Sequence, residues 1–122
     1  MTSTPEPPRR LLLVDNDPAV VRTTGRLLRD AGYQVVEANS AQQAIELLSG
    51  PEPFTCAVLD VVLDDAIDGM EIVHWIQDHH PKTHIVIASG KRGFTPPPGV
   101  TFVRKPYSIE EMRRAVVFGE SA

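Results

Sequence analysis

The chain has 122 residues, 42% of them hydrophobic and 23% charged, with a net charge of −4. That length supports one hydrophobic core and not two ordinary ones, and the balance is that of a folded domain rather than a disordered chain. The acidic excess argues against a nucleic-acid partner and no apolar run reaches the length of a membrane span, so a cytoplasmic protein is expected.

Residues 1–10 hold three prolines and no apolar stretch, and read as a disordered lead-in rather than a secretory signal. Leu11 to Val14 is an uninterrupted apolar run, suited to a strand buried on both faces. Asp17 and Pro18 mark a helix start, as N-cap and first helical residue. Ala19, Val20, Thr23, Leu27 and Leu28 give that helix its inner stripe, Arg22, Arg26 and Arg29 its solvated side, and Gly32 its C-terminal stop. Gln34 to Ala38 is a second strand. Ser40 with Gln43 forms a capping box for a helix that buries Ala44, Ile45, Leu47 and Leu48, before a Gly50-Pro51-Glu52-Pro53 loop.

Cys56 to Val61 is a third strand, and it carries a carboxylate, Asp60, near its end. The single Cys56 has no partner for an intramolecular disulfide and reads as a small core residue. Met70 to His79 is a helix with Ile72, Val73 and Ile76 inward, stopped before Pro81. His84 to Ala88 and Val100 to Val103 are strands four and five. Ser108 with Glu111 caps a last helix through Met112, Ala115 and Val116, with Gly119 as its end. Alternating strands and helices imply a parallel sheet with helices on both faces. Only Gly90 to Gly99 connects strands four and five, and Pro96-Pro97-Pro98 lies inside it. Three prolines favour extended chain, so the fourth helix is expected to be short or absent.

In open α/β sheets chemistry sits outside the carboxyl ends of the strands. Asp15, Asn16, Asp60, Ser89 and Lys105 all follow or end strands there. Carboxylate and amide oxygens can hold Mg2+, an ammonium can neutralise a phosphoryl group, and a carboxylate can act as nucleophile to give an aspartyl phosphate.

At this point the sequence resembles the receiver domain of two-component response regulators. The resemblance rests on Leu-Val-Asp-Asn-Asp-Pro at 13–18, Val-Leu-Asp-Val-Val-Leu at 58–63, Asp-Gly at 68–69, Ile-Ala-Ser-Gly at 87–90 and Phe-Val-Arg-Lys-Pro-Tyr at 102–107. It implies a flavodoxin-like, doubly wound, five-stranded parallel sheet of (βα)5 type over residues 11–119, with no output domain. It also implies roles: Asp60 as phosphoacceptor, Asp15, Asn16, Asp60 and the Val62 backbone carbonyl as Mg2+ ligands, Ser89 as switch hydroxyl, Lys105 as phosphoryl clamp and Phe102 as switch aromatic. The implied donor is a histidine kinase or a histidine phosphotransfer protein, and the signal passes to a downstream protein by contact or onward phosphotransfer. The expected chemistry is self-phosphotransfer and slow hydrolysis rather than metabolic turnover.

Three departures stand out. Asn16 replaces the usual second carboxylate, which predicts weaker Mg2+ binding. The loop after Asp60 lacks the usual proline and is one residue longer before Asp68-Gly69, which either brings Asp64 or Asp65 closer to the site or, as the preferred reading, leaves them as two solvated loop acids. The fourth helix is reduced, and the proline-rich segment beside Phe102 is read as an altered partner surface. The rival readings are a degenerate receiver that binds a partner unphosphorylated, and a haloacid-dehalogenase-type phosphatase built on Asp15-Asn16-Asp17. The phosphatase is opposed by Ala19, by the position of Asp64-Asp65 and by the lack of room for a cap. His74, His79, His80 and His84 allow a zinc site on spacing alone, but read as surface histidines.

Overall fold

The computed structural model describes residues 9–61 and 69–121 of the chain. Five strands, β1 (Arg10–Val14), β2 (Gln34–Ala38), β3 (Cys56–Asp60), β4 (His84–Ser89) and β5 (Thr101–Arg104), alternate with helices α1 (Pro18–Asp30), α2 (Ala41–Leu48), α3 (Gly69–His79) and α4 (Ile109–Ser121). The sheet is parallel throughout, in the order β2-β1-β3-β4-β5. This is the expected flavodoxin-like sheet with the fourth crossover helix missing.

Both sheet faces are dry, which is why β1 and β3 are continuous apolar runs rather than alternating ones. Leu12, Val14, Ala57, Leu59, Ile85 and Ile87 pack under α2 and α3. Leu11, Leu13, Cys56, Val58, Val86 and Ala88 pack under α1 and α4. All five residues of β3 are buried, and Cys56 is a buried core thiol outside any disulfide, as its setting implied. Strand order reverses between β1 and β3, because the chain leaves β1 toward β2 on one side and returns to β3 on the other. Such a switch point opens a crevice at the carboxyl ends of its two strands.

The helix boundaries follow local chemistry. Asp17 Oδ1 accepts the Ala19 N–H at 2.9 Å with Pro18 at the first position. Ser40 Oγ accepts the Gln43 N–H at 3.1 Å. Ser108 and Glu111 exchange two bonds of 3.1 Å in a reciprocal box. At the end of α1 the Tyr33 N–H reaches the Leu28 carbonyl and the Gly32 N–H reaches Arg29. Gly32 takes φ +102° there, the left-handed turn that a glycine accommodates without a Cβ clash.

Several expectations shift: β3 ends at Asp60 rather than Val61, β4 runs on to Ser89, and α3 opens at Gly69. The first strand opens at Arg10, one residue inside the expected lead-in, because the Gln34 N–H pairs with Arg9 O and extends the ladder. The inner stripe of α1 is Thr24, Gly25 and Leu28, with Val21 packed against it, while Ala19, Thr23 and Leu27 are exposed and Val20 is only half-buried. Strand five starts one residue later than Val100 and runs to Arg104. Helix α4 continues through Gly119 to Ser121 instead of ending there.

Between Ser89 and Thr101 the chain forms no helix. Gly93 and Gly99 turn it at φ +74° and +84°. Phe94, half-buried, lays its ring 5.8 Å from that of Phe102 and covers the sheet where a helix would have packed.

Gly69, at the start of α3, is fixed by space rather than by torsion. A Cβ there would collide with the Asp60 carbonyl oxygen and the Val61 Cα, both backbone atoms. Gly69→Ala is therefore expected to lower stability by about 2 kcal/mol or more, since backbone must move to relieve the overlap. Gly32→Ala, with open space around it, costs only the left-handed torsion, about 1 kcal/mol. Urea denaturation of the two variants checks the ranking.

Candidate functional site

The crevice at the switch point holds two acids. Asp15 directly follows β1 and is 3% exposed; Asp60 ends β3 and is 9% exposed. They lie on neighbouring strands, since β1 pairs with β3 in register Val14 to Leu59. Buried like charges repel strongly in a low-dielectric setting, so the pair needs a cation. Lys105 provides it: its Nζ donates to Asp15 Oδ2 at 2.6 Å and to Asp60 Oδ2 at 3.1 Å.

Three hydrogen bonds aim these groups. The Asp15 N–H is held by the Ala38 carbonyl at 3.2 Å, and its Oδ1 accepts the Asp17 N–H at 2.9 Å, tying the acid to the start of α1. The Lys105 N–H donates to the Ser89 carbonyl at 3.0 Å. The Lys105-Pro106 peptide is cis.

Ser89 closes β4, 1% exposed, one residue beyond the Ala88 that pairs with Asp60. Its Oγ accepts the Lys91 N–H at 3.1 Å. Asn16 is half-buried and lines, with Asp15, a cleft of ≈ 420 Å³ bordered by Pro18, Arg22 and Glu37. The Phe102 ring packs with that of Phe94, and the guanidinium of Arg104 lies 5.7 Å from its centroid. Of the expected site residues, then, Asp15, Asp60 and Lys105 are in direct contact, Ser89 and Asn16 border them, and Phe102 packs with Phe94 and Arg104 on β5. Val62, Asp64, Asp65 and Asp68 lie outside the described residues.

Burial, the largest influence on the Lys105 ammonium, acts to lower its pKa. The hydrogen bond and charge of Asp15, and then of Asp60, outweigh it and leave the group above the ordinary lysine value. Tyr107, which spacing did not single out, is pushed upward by burial. Its hydroxyl shares a 2.7 Å hydrogen bond with Thr24 of α1. The signal that could have found it was a polar Thr24 on the inner face of a helix, which requires a partner.

The histidines do not assemble. His79 stacks on Trp75 with centroids 4.0 Å apart, His80 donates to the Leu48 carbonyl, and His84 Nε2 meets the Ala115 carbonyl. Among the described residues no three His, Cys, Asp or Glu side chains come together as metal ligands.

Lys105→Met would leave two buried carboxylates facing each other with no counter-charge. It is expected to destabilise the domain at neutral pH by about 1–3 kcal/mol. Because the folded pKa of Lys105 is raised above its ordinary 10.5, the stabilisation is complete below that value and disappears as pH climbs through the folded pKa. Urea melts of both proteins at pH 8 and in strongly alkaline buffer check this: the gap between them should close only at the alkaline end.

Residues 11–117 match the family model described as the response regulator receiver domain. The sensor protein TorS of Escherichia coli (strain K12) is 35% identical over 77 residues, 63% of this chain and 8% of that protein. The probable transcriptional regulatory protein TcrX of Mycobacterium tuberculosis is 29% identical over 112 residues, 86% of this chain and 47% of that protein. The chain thus spans less than half the length of either relative. In fold, it is similar to a response regulator receiver protein from Sinorhizobium medicae WSM419, with a TM-score of 0.88 over 94% of this chain and 96% of that one at 24% identity. With nearly the whole described fold inside the matched range, the chain belongs to the response regulator receiver domain family.

Proposed function

We propose that this chain accepts a phosphoryl group on Asp60 from the phosphohistidine of a histidine kinase or a histidine phosphotransfer protein, in the cytoplasm. It then passes the signal to a downstream protein by contact or by onward phosphotransfer. The family is one of signalling phosphoacceptors rather than metabolic enzymes. The observation that supports these residues is the single ammonium of Lys105 bonded to both Asp15 and Asp60 at the switch point of the sheet.

In the step proposed, an Asp60 oxygen attacks phosphorus and forms a P–O bond while the P–N bond of the donor breaks. The bonding electron pair returns to the imidazole nitrogen, which regains a proton from solvent. Lys105 then exchanges a carboxylate oxygen for a phosphoryl oxygen and holds the new charge. The Ser89 hydroxyl, one strand away, turns to another phosphoryl oxygen, and Phe102 repacks beneath Phe94 and Arg104.

The donor set of Asp15, Asn16 and Asp60 consists of hard oxygens in an anionic crevice, which fits Mg2+. With the Val62 carbonyl they would hold the ion, and it would supply charge neutralisation for the phosphoryl oxygens. Asn16 contributes an oxygen without a charge. Asn16→Asp is therefore expected to lower the Mg2+ concentration that half-saturates phosphorylation several-fold, checked by magnesium titration of the reaction rate.

The direct test is the intact mass after incubation with acetyl phosphate, with and without Mg2+, beside Asp60→Asn. One phosphoryl increment that requires Mg2+ and vanishes in the variant is the expected result. No increment on a folded chain would make it an unphosphorylated binding module, and turnover of small phosphate esters would make it a phosphatase.

A further inference from the structure

The sheet ends at β5, and among the described residues no strand pairs with its outer edge. The Lys105 N–H bonds inward to Ser89, and backbone groups alternate sides along a strand. Val103 therefore also faces β4, while Phe102 and Arg104 turn their N–H and C=O groups outward. A groove of ≈ 370 Å³ follows this edge, walled by Thr101–Arg104 and by Arg114 and Ala115 of α4. The proline-rich segment does not line it; Phe94, Pro96 and Pro97 are half-buried, and Phe94 lies against the sheet face, on Phe102.

Charge flanks the edge from both sides. Arg104 shares the α2–α3 face with Phe102, over whose ring it sits, and Arg114 belongs to α4 on the opposite face. Arg10, Arg29 and Arg113 are ion-paired with Glu52, Glu37 and Glu110, and neither Arg104 nor Arg114 meets a carboxylate among the described residues. Glu111, the acid on the groove wall, is engaged in capping α4 through Ser108.

We propose that the β5 edge binds an extended acidic segment of another protein, which adds as a sixth strand and sets two consecutive carboxylates on Arg104 and Arg114. Successive side chains of an added strand point to opposite faces, so adjacent acids reach one arginine each. The outward groups of Phe102 and Arg104 supply four main-chain hydrogen bonds, and the arginines supply selectivity. A second copy of this chain is a poor occupant. It would gather four arginines, two Arg104 and two Arg114, along one seam, where like charges repel. This proposal concerns the unphosphorylated chain and does not rest on phosphoryl transfer to Asp60.

The test titrates the unphosphorylated full chain with a capped octapeptide of valine and threonine carrying adjacent Glu and Asp. A twin peptide with Gln and Asn in their place is run beside it. Two exposed charge pairs predict that the acidic peptide binds about tenfold more tightly. Amide hydrogen exchange should slow at Phe102 and Arg104, and Arg104→Glu and Arg114→Glu should each remove most of the preference. Arginines that merely guard the edge against pairing would give no binding at about 1 mM peptide, and that result overturns the proposal. So would equal binding of the two peptides, protection confined to other amides, or a sedimenting dimer with the β5 amides protected without peptide.

Discussion

One ammonium between two buried carboxylates governs the carboxyl edge of this sheet. At an effective dielectric near 20, a unit charge pair 4 Å apart is worth about 4 kcal/mol, so setting Asp15 and Asp60 side by side in a buried crevice is costly without Lys105. Nothing local in the chain brings the three together. Asp15 and Asp60 meet because β3 lies beside β1, and Lys105 arrives because β5 closes the other end of the sheet. The same contact sets the chemistry proposed for the site. An incoming phosphoryl group adds negative charge where the cation already sits, and competes for an ammonium that the fold otherwise uses to hold two acids together.

The support beneath Lys105 comes from two directions. Its N–H is fixed on Ser89 of β4, and the residue two positions on, Tyr107, is tied to Thr24 of α1 by a bond spanning 83 residues of sequence. The segment that carries the lysine is therefore anchored to the sheet on one side and to a helix on the other. The exposed side of α1, with Ala19, Val20 and Thr23, joins Pro106 and Tyr107 around a groove of ≈ 500 Å³ beside the site.

How far the sequence could be read depended on whether the responsible interaction was local. The caps at Asp17, Ser40 and Ser108 were legible because donor and acceptor lie two or three residues apart. The apolar runs of β1, β3 and β4 were legible because a sheet covered on both faces tolerates no alternation. The inner stripe of α1 was misread for the opposite reason. Thr24 is buried on account of Tyr107, and Gly25 because the side chains of Glu37 and Arg29 approach it closely; neither cause is visible in hydrophobicity. Gly119 looked like a helix stop, but a single glycine costs only about 1 kcal/mol in a helix, and α4 runs on past it. In the site, Asp15, Asp60 and Lys105 were legible from their place at strand ends, whereas the packing of Phe102 on Phe94 depends on a loop whose path no local signal sets.

The shortened connection between β4 and β5 changes what a signal has to move. A packed helix has a hydrogen-bond ladder and a buried stripe to preserve, and shifts as a body. The chain here has neither: among the described residues, its start is tied to the fold by the Lys91 N–H on Ser89 Oγ, and its middle by Phe94 on Phe102. If Ser89 turns toward a phosphoryl group, as proposed, the bond it gives up is the one that anchors this segment, so the release at one end and the repacking of Phe102 at the other act on the same few residues. The path from site to surface is then short, and its outer limit is β5 itself, whose far edge carries the arginines. A domain without a helix in this crossover can in this way carry the proposed response, with the loosening of an extended segment in place of the motion of a rigid element.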